Sequence, residues 1–209
     1  ATAPVSAEVS IARDELGVPH IRASNEDDLF FAQGFVAAQD RLFQLDLWRR
    51  QTNGEQAEVF GPEALEADAF ARLLKYRGNR ETEWASYSTD AKAIATAFTR
   101  GINAAIDRFG DKLPIEFSML GFKPAKWKPE DVLGRMSGIY MSQNFRNEID
   151  RAHLIAAVGI EKARTLAPVD PAREYTTVLD AEELKAISPR IVAGYTAATK
   201  SLPFKPAKT

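Results

Sequence analysis

The chain has 209 residues, 45% of them apolar and 27% charged, with a net charge of −2 and no cysteine. That length can bury a sizeable core in one or two domains, and the near-neutral charge gives no general pull toward nucleic acid or acidic membranes. The missing cysteines exclude disulfides, thiolate metal sites and cysteine nucleophiles within the chain, and no apolar run approaches the ~20 residues that span a bilayer.

The predicted elements begin with two short strands. Val5 to Ile11 alternates around Val9 and Ile11, Val18 to Ile21 is β-branched, and Asp14-Glu15-Leu16-Gly17 separates them, which reads as a hairpin or a pair of edge strands. Pro19 has no N–H, so its strand lies at an edge or begins there. Two such strands do not make a stable sheet alone.

Ser24 to Asp27 has the form of a capping box, and Glu26, Asp27 and Asp28 put negative charge in the first turn of the helix it opens. That helix is predicted to run to about Gln51 and stop near Asn53-Gly54. Phe31, Phe35, Ala38, Leu42 and Leu45 form one apolar stripe, and Leu29, Val36, Phe43 and Leu47 form another. Two stripes mean burial on more than one side, and so a large body to pack against. A second helix is predicted over Glu63 to Tyr76, with Leu65, Ala69, Leu73 and Tyr76 facing inward. A third covers Asp90 to Phe109.

Leu113 to Pro129 is rich in proline, glycine and aromatics and reads as an ordered, irregular connection. Pro129 suits a first helical position, and its helix is predicted to run past Tyr140 and become irregular around Gln143 to Asn147. Helix resumes over Ile149 to Val158, ending at Gly159. A last helix spans Asp180 to Ala198, with Pro189 as a candidate break, and Ser201 to Thr209 reads as an exposed tail. Three regions result: a strand pair at about 5–22, a helical body at about 24–198 and a tail at about 201–209.

Few residues present recognisable chemistry. Asp40 beside Arg41 reads as a buried charged pair that fixes the packing of the long helix, with a catalytic carboxylate as the sharper alternative. Asp46 is placed to pair with Arg50 four residues on, and Arg49 and Arg50 complement the helix dipole on a solvated or interfacial face. His20 and His153 form no metal triad with their neighbours, and no H-E-x-x-H, G-x-S-x-G or glycine-rich phosphate loop is present. The segment Tyr140 to Asp150 combines apolar walls at Met141 and Phe145 with Glu148 and Asp150, oxygen donors of the kind calcium prefers. The plainer reading is a helix junction with two core side chains and a surface acidic pair.

Five blocks in one order carry a resemblance: G-V-P-H-I-R-A at 17–23, A-Q-D-R-L-F-Q-L-D at 38–46, G-E-Q-A-E-V-F-G at 54–61, L-P-I-E-F-S-M-L-G-F-K-P-A-K-W-K-P-E-D at 113–131 and N-E-I-D at 147–150. They resemble the small chain of penicillin-acylase-type N-terminal-nucleophile amidohydrolases. The resemblance implies an α+β fold, a mostly helical small chain with a few edge strands that completes a four-layer αββα body with a larger partner chain. In that family an autoproteolytic precursor yields both chains. The new N-terminal residue of the large chain, usually serine, serves as nucleophile and, through its own amine, as base.

No catalytic residue is therefore expected here. Met141 and Phe145 match positions lining the acyl pocket, and Glu148 matches a carboxylate that ligates a structural calcium together with large-chain donors. No organic cofactor is implied. Penicillin G acylases carry Arg-Phe where this chain has Asn144-Phe145, which leaves the arginine's substrate contact open at Asn144. The loop from there to the glutamate is also shorter, which would reshape the pocket for another acyl group such as a fatty chain. Both β-lactam antibiotics and acyl-homoserine lactones (quorum-quenching chemistry) stay within the resemblance as substrates. A chain that begins at Ala1 without a visible leader fits a processed bacterial protein, periplasmic or secreted. Two rivals remain: a self-sufficient helical binding module whose own core is the pair of apolar stripes, and a stand-alone hydrolase using His20 or His153.

Overall fold

The computed structural model describes residues 4–75, 77–134, 143–169, 179–187, 192, 193, 195 and 196. They fall into two units, one ending at residue 134 and one starting at 143.

In the first unit β1 (Ser10–Arg13) and β2 (Pro19–Arg22) pair antiparallel with Ser10 opposite Arg22 and Arg13 opposite Pro19. The hairpin is as expected, with β1 starting later than the alternation suggested. Asp14 shapes its turn: Leu16 and Val18 donate their N–H groups to Oδ1 at 3.0 and 2.9 Å, and Gly17 takes the left-handed φ of 78° that a side chain would resist.

The long helix α1 spans Glu26–Asn53 and ends on Gly54 in the left-handed conformation. Its N-cap is Asn25, one residue beyond the expected Ser24, because the Asn25 side chain accepts the Asp28 N–H at 2.8 Å. Asp27 is left to pair with Arg100 at 2.9 Å. Asp28 has no exposed surface; its carboxylate accepts from the Ser6 N–H at 2.9 Å, the Ser6 hydroxyl at 2.7 Å and the Ala7 N–H at 3.0 Å. These bonds tie the N-terminal segment to the helix start. The Ser6 backbone bond, followed by the Ser6 and Asn25 side chains, lowers the Asp28 pKa to about 2. An unfolded aspartate titrates near ~3.9, so the clamp is fully present above that pH and is lost as pH falls through about 2. Protection of the Ser6 and Ala7 amides from hydrogen exchange should therefore be constant from pH 7 to 5 and collapse below pH ~3. Collapse already at pH 5 would assign the clamp to other groups.

Helix α5 (Ala91–Phe109) crosses α1. A Cβ placed on Gly34 would sit 1.9 Å from the Phe98 carbonyl oxygen, and one on Gly101 would sit 2.0 Å from the Phe31 carbonyl oxygen. The helices thus touch backbone to backbone through two reciprocal glycines. Below the crossing, Ala38, Leu42, Ile102, Ala105, Phe117 and Trp127 form the core. Phe117 comes from α6 (Ile115–Leu120) and meets Phe43 edge-on, with ring centroids 5.4 Å apart. The Asn103 side chain locks the following segment by accepting from the Trp127 N–H and donating to its C=O, at 2.8 and 2.9 Å. The stretch from 113 to 129, expected to be irregular throughout, thus contains a short helix and supplies core aromatics.

Both apolar stripes of α1 are buried or half-buried by the chain's own elements. Much of the body they were expected to pack against is supplied by α5, α6 and the Trp127 segment, while Leu29, Phe35, Phe43, Leu45 and Leu47 stay partly exposed.

Past Gly54 the chain forms α2 (Ala57–Phe60), a 3-10 turn at Gly61–Ala64, then α3 (Leu65–Leu74) and α4 (Arg80–Ala85). Helix α3 inverts the expected face. Ala64, Ala67 and Ala71 are buried, whereas Leu65 and Leu73 are 57% and 66% exposed. Small residues let α3 approach α1 closely and leave its leucine stripe outside; Tyr76 lies outside the described residues. Buried Asp68 accepts the Gln56 and Ala57 N–H groups at 2.9 and 2.7 Å, satisfying the start of α2.

Asp46, Arg49 and Arg50 correct a second expectation. They are not solvated: their relative exposures are 0%, 8% and 6%. Asp46 accepts from Arg50 Nε at 2.7 Å and Arg49 Nη2 at 3.2 Å, while Glu58 and Glu55 take the outer nitrogens at 2.6 and 3.3 Å. Arg50 also stacks over Phe122, 5.0 Å from the ring centroid. Reversal of the chain at Gly54 brings Glu55 and Glu58 back over both guanidinium groups, and three carboxylates then hold two buried cations.

Pro129 opens only a 3-10 turn, Pro129–Leu133, ended at Gly134. The long helix expected from Pro129 is not formed as far as Gly134; residues 135–142, Met141 among them, lie outside the described residues, as does the tail at 201–209.

Candidate functional site

The second unit carries the described candidate residues. Helix α7 runs without interruption over Gln143–Val158, so the irregular junction expected around Gln143 to Asn147 is helix. Ile149, Ala152 and Ile155 share its inner side, and Gly159, at φ 80°, turns the chain into α8 (Ile160–Leu166), a helix not foreseen from the sequence. Further on, α9 (Ala181–Ala186) starts at Asp180, which forms a reciprocal capping box with Glu183. Of the helix expected over Asp180 to Ala198, with Pro189 as a candidate break, residues 192, 193, 195 and 196 are also helical, and Pro189 itself lies outside the described residues.

Asn144 and Glu148 lie one turn apart on α7 and are both exposed. The Asn144 amide donates to Glu148 Oε1 at 2.7 Å, an i,i+4 contact that orients the carboxylate. Phe145 is 36% exposed, with its ring edge-on to Tyr195 at 5.9 Å between centroids. The Tyr195 contact was not legible in the sequence, since it depends on how a later segment returns to α7. The helix therefore presents an amide, a carboxylate and a half-covered aromatic on neighbouring turns.

Calcium takes six to eight oxygen ligands. One exposed carboxylate does not supply that set, and among the described residues no three His, Cys, Asp or Glu side chains group so as to hold a metal ion. These residues do not fit a self-contained cation site; Glu148 can serve as one ligand among others supplied from elsewhere.

Apart from Asp150 and His153, which are on α7, the other singled-out residues are in the first unit. Asp40 is half-exposed and pairs with Arg13 rather than Arg41, through two bonds of 2.8 and 3.1 Å. It ties the hairpin to α1, so the structural role holds but the expected buried Asp40–Arg41 pair is corrected to an exposed Asp40–Arg13 pair. At Arg41 the helix is kinked, with φ −142° and ψ 28°. A groove of about 590 Å³ opens there between the hairpin and α1, lined by Arg13, Pro19, Ile21, Val36, Asp40 and Arg41.

His20 bonds Asp14 Oδ2 at 3.0 Å, and that bond, then the Val18 N–H, lowers the Asp14 pKa. The pair is open to solvent, with His20 62% exposed. An Asp–His pair supplies two members of a hydrolytic triad, but no hydrogen bond joins His20 to a serine among the described residues. His153 is exposed on α7.

Comparison with known proteins adds a second line of observation. The family model described as penicillin amidase matches residues 8–200. The chain is 35% identical over 181 residues to the acyl-homoserine lactone acylase QuiP of Pseudomonas aeruginosa, covering 86% of this chain and 21% of that protein. It is 43% identical over 125 residues to the penicillin acylase 2 proenzyme of a Pseudomonas species, covering 60% of this chain and 16% of that one. It is also similar to a solved thermostable penicillin G acylase from Alcaligenes faecalis, with TM-score 0.62 and 28% identity, covering 83% of this chain and 98% of the solved one. The chain spans about a fifth of the length of the curated relatives it matches, whereas the solved chain is almost wholly matched.

Proposed function

This chain belongs to the penicillin amidase family, and on that footing we propose that it is the small chain of a two-chain amidohydrolase cleaving the amide between an acyl group and an amine-bearing core. The observation that carries this reading is the contrast in coverage. The curated relatives are about five times longer than the match, yet the match takes up 98% of a solved penicillin G acylase chain. A separate polypeptide of this size is what a cleaved precursor would leave.

In the proposed reaction the larger chain, completing an αββα body, supplies an N-terminal hydroxyl that attacks the substrate carbonyl. The amine departs as an acyl-enzyme forms, and water releases the acid. This chain contributes pocket walls at Met141, Asn144 and Phe145. Glu148 contributes one ligand to a structural calcium, whose role is to hold the two chains together rather than to take part in the chemistry. The protein works in the periplasm or outside the cell. β-Lactams and acyl-homoserine lactones are the two substrate classes supported by the relatives' names.

The test is to treat the native protein with a sulfonyl fluoride and weigh its chains. A label on a larger, co-purifying chain is expected; a label on this chain, or amide cleavage by this chain alone, would overturn the reading. Within the active protein, Phe145→Ala should change the relative kcat/KM between short and long acyl groups by about tenfold or more while leaving discrimination among amines nearly unchanged. An unaltered acyl profile removes Phe145 from the pocket. In the same preparation Glu148→Ala should release calcium measured by elemental analysis, and undiminished metal content would reassign that ligand.

One observation favours the rival helical module: the α1 stripes are buried in part by the chain's own elements. A module would be soluble and monomeric when expressed alone, and its loss of fold in isolation would exclude that rival.

A further inference from the structure

The end of α1 holds a chemically reactive peptide. Asn53-Gly54 is the one Asn-Gly pair of the sequence. Glycine has no Cβ to shield its nitrogen, so in an open chain the Gly54 nitrogen can attack the side-chain amide carbon, Cγ, of Asn53. That step forms the N–Cγ bond and breaks the Cγ–Nδ2 bond. The Gly54 N–H proton leaves with the ammonia, and a five-membered succinimide remains. Water then opens the ring at either carbonyl, giving aspartate or isoaspartate.

The fold opposes this attack in three ways. Asn53 is the last residue of α1, and a helical ψ, near about −42°, holds the Gly54 nitrogen out of line with Cγ. The Gly54 N–H is also engaged, donating to the Arg50 and Gln51 carbonyls that it caps, so it keeps the proton it must lose to attack. Finally, α3 lies over the same peptide. Arg72 Nε donates to the Gly54 C=O at 2.9 Å, and a Cβ on Gly54 would sit 2.6 Å from Arg72 Cγ and 2.7 Å from the Asp68 carbonyl oxygen. Gly54 is accordingly buried. The rotation that brings nitrogen and Cγ together would drive the peptide into α3.

We propose that Asn53 is a latent deamidation site, held shut by α3 through Arg72 and opened when α3 lifts from the end of α1. Helix α3 is the element placed to lift, because it buries Ala67 and Ala71 while its leucines face out, and so little apolar area holds it down. The lesion falls where it does most harm. An isoaspartate runs the main chain through the side chain and adds one backbone atom ahead of Gly54. The Glu55 N–H, bonded to the Arg50 C=O at 2.8 Å, would lose its register. With it would go the return of Glu55 and Glu58 over the buried Arg49 and Arg50 guanidinium groups. A transient opening is thereby converted into a permanent weakening of that cluster. All of these contacts lie within this chain, so the site is independent of the two-chain reading.

The test is to age the native protein at mildly alkaline pH and follow residue 53 by peptide mapping, with isoaspartate counted by enzymatic methylation. A synthetic peptide of residues 49–58 and the urea-unfolded chain give the unprotected rate. Asn53 in the native protein should convert at least about a hundredfold more slowly than in either. In Arg72→Gln, shown to be folded by near-UV circular dichroism, conversion should be several-fold faster than in the unsubstituted protein. Urea well below the unfolding midpoint should accelerate it too. Protein carrying isoaspartate at position 53 should melt at a lower temperature than unaged protein. Native conversion as fast as that of the peptide overturns the protection. Unchanged protection in folded Arg72→Gln, or conversion in urea that tracks global unfolding alone, overturns the gate formed by α3. If Arg72→Gln does not fold, the urea series decides.

Discussion

Alanine at Gly34 should cost about 3 kcal/mol, the upper end of the usual range for overpacking, and lower the melting temperature by roughly 10 °C. In an isolated helix the same change would stabilise by about 0.5–1 kcal/mol, because glycine is a poor helix former. Here the sign reverses. The new methyl would lie 1.9 Å from the Phe98 carbonyl oxygen, and backbone cannot rotate aside as a flexible side chain would. Gly101→Ala meets the Phe31 carbonyl at 2.0 Å from the other side and should cost a similar amount. Once one alanine has forced α1 and α5 apart, the second finds room, so the double variant should lose less than the sum. Thermal melts of the four proteins close this cycle. A neutral or stabilised Gly34→Ala protein would show that the helices do not approach this closely.

Asp46→Ala should destabilise by about 3–5 kcal/mol, the usual cost of removing one partner from a buried ionic cluster. The reason is what remains behind. Arg49 and Arg50 stay charged and buried, and Arg49 Nε has no hydrogen-bond partner even with Asp46 in place. Burial is the largest single influence on Arg50 and opposes its charge, but the bonds and charges of Asp46 and Glu58 together outweigh it and raise the Arg50 pKa. Asp46→Asn retains one acceptor and should lose less. Glu58→Ala should cost under about 1 kcal/mol, since its side chain is 67% exposed and water can replace it. Urea unfolding of the three variants orders the effects. Equal losses for Asp46→Ala and Glu58→Ala would mean that the cluster is solvated in solution.

Local elements were readable where one residue type dictates a conformation. Gly54 ended α1, Gly159 ended α7, and the Asp14–Gly17 turn made the hairpin. The length and double striping of α1 were equally plain in its periodicity. The expected inward stripe of α3 failed, because hydrophobicity favours Leu65 and Leu73 while close packing selected Ala67 and Ala71. Arg49 and Arg50 failed for the opposite reason. Two adjacent arginines read as surface, and only the return of Glu55 and Glu58 past Gly54 makes their burial tolerable. Asp40 was recognised as structural, but its partner Arg13 lies 27 positions away. Of the candidate pocket residues, the one-turn spacing of Asn144 and Glu148 required the fold, because the sequence reads as irregular over Gln143 to Asn147, and so did the contact of Phe145 with Tyr195.

By itself, then, the sequence determined the hairpin, the extent of α1 and α5, and, through blocks of identity, the family. Those properties are local or are preserved residue by residue along the chain. Tertiary structure decided which apolar faces are covered and which charges are buried. Each of these depends on segments distant along the chain meeting at van der Waals or hydrogen-bond distance, and periodicity along one element carries no information about the surface that will meet it.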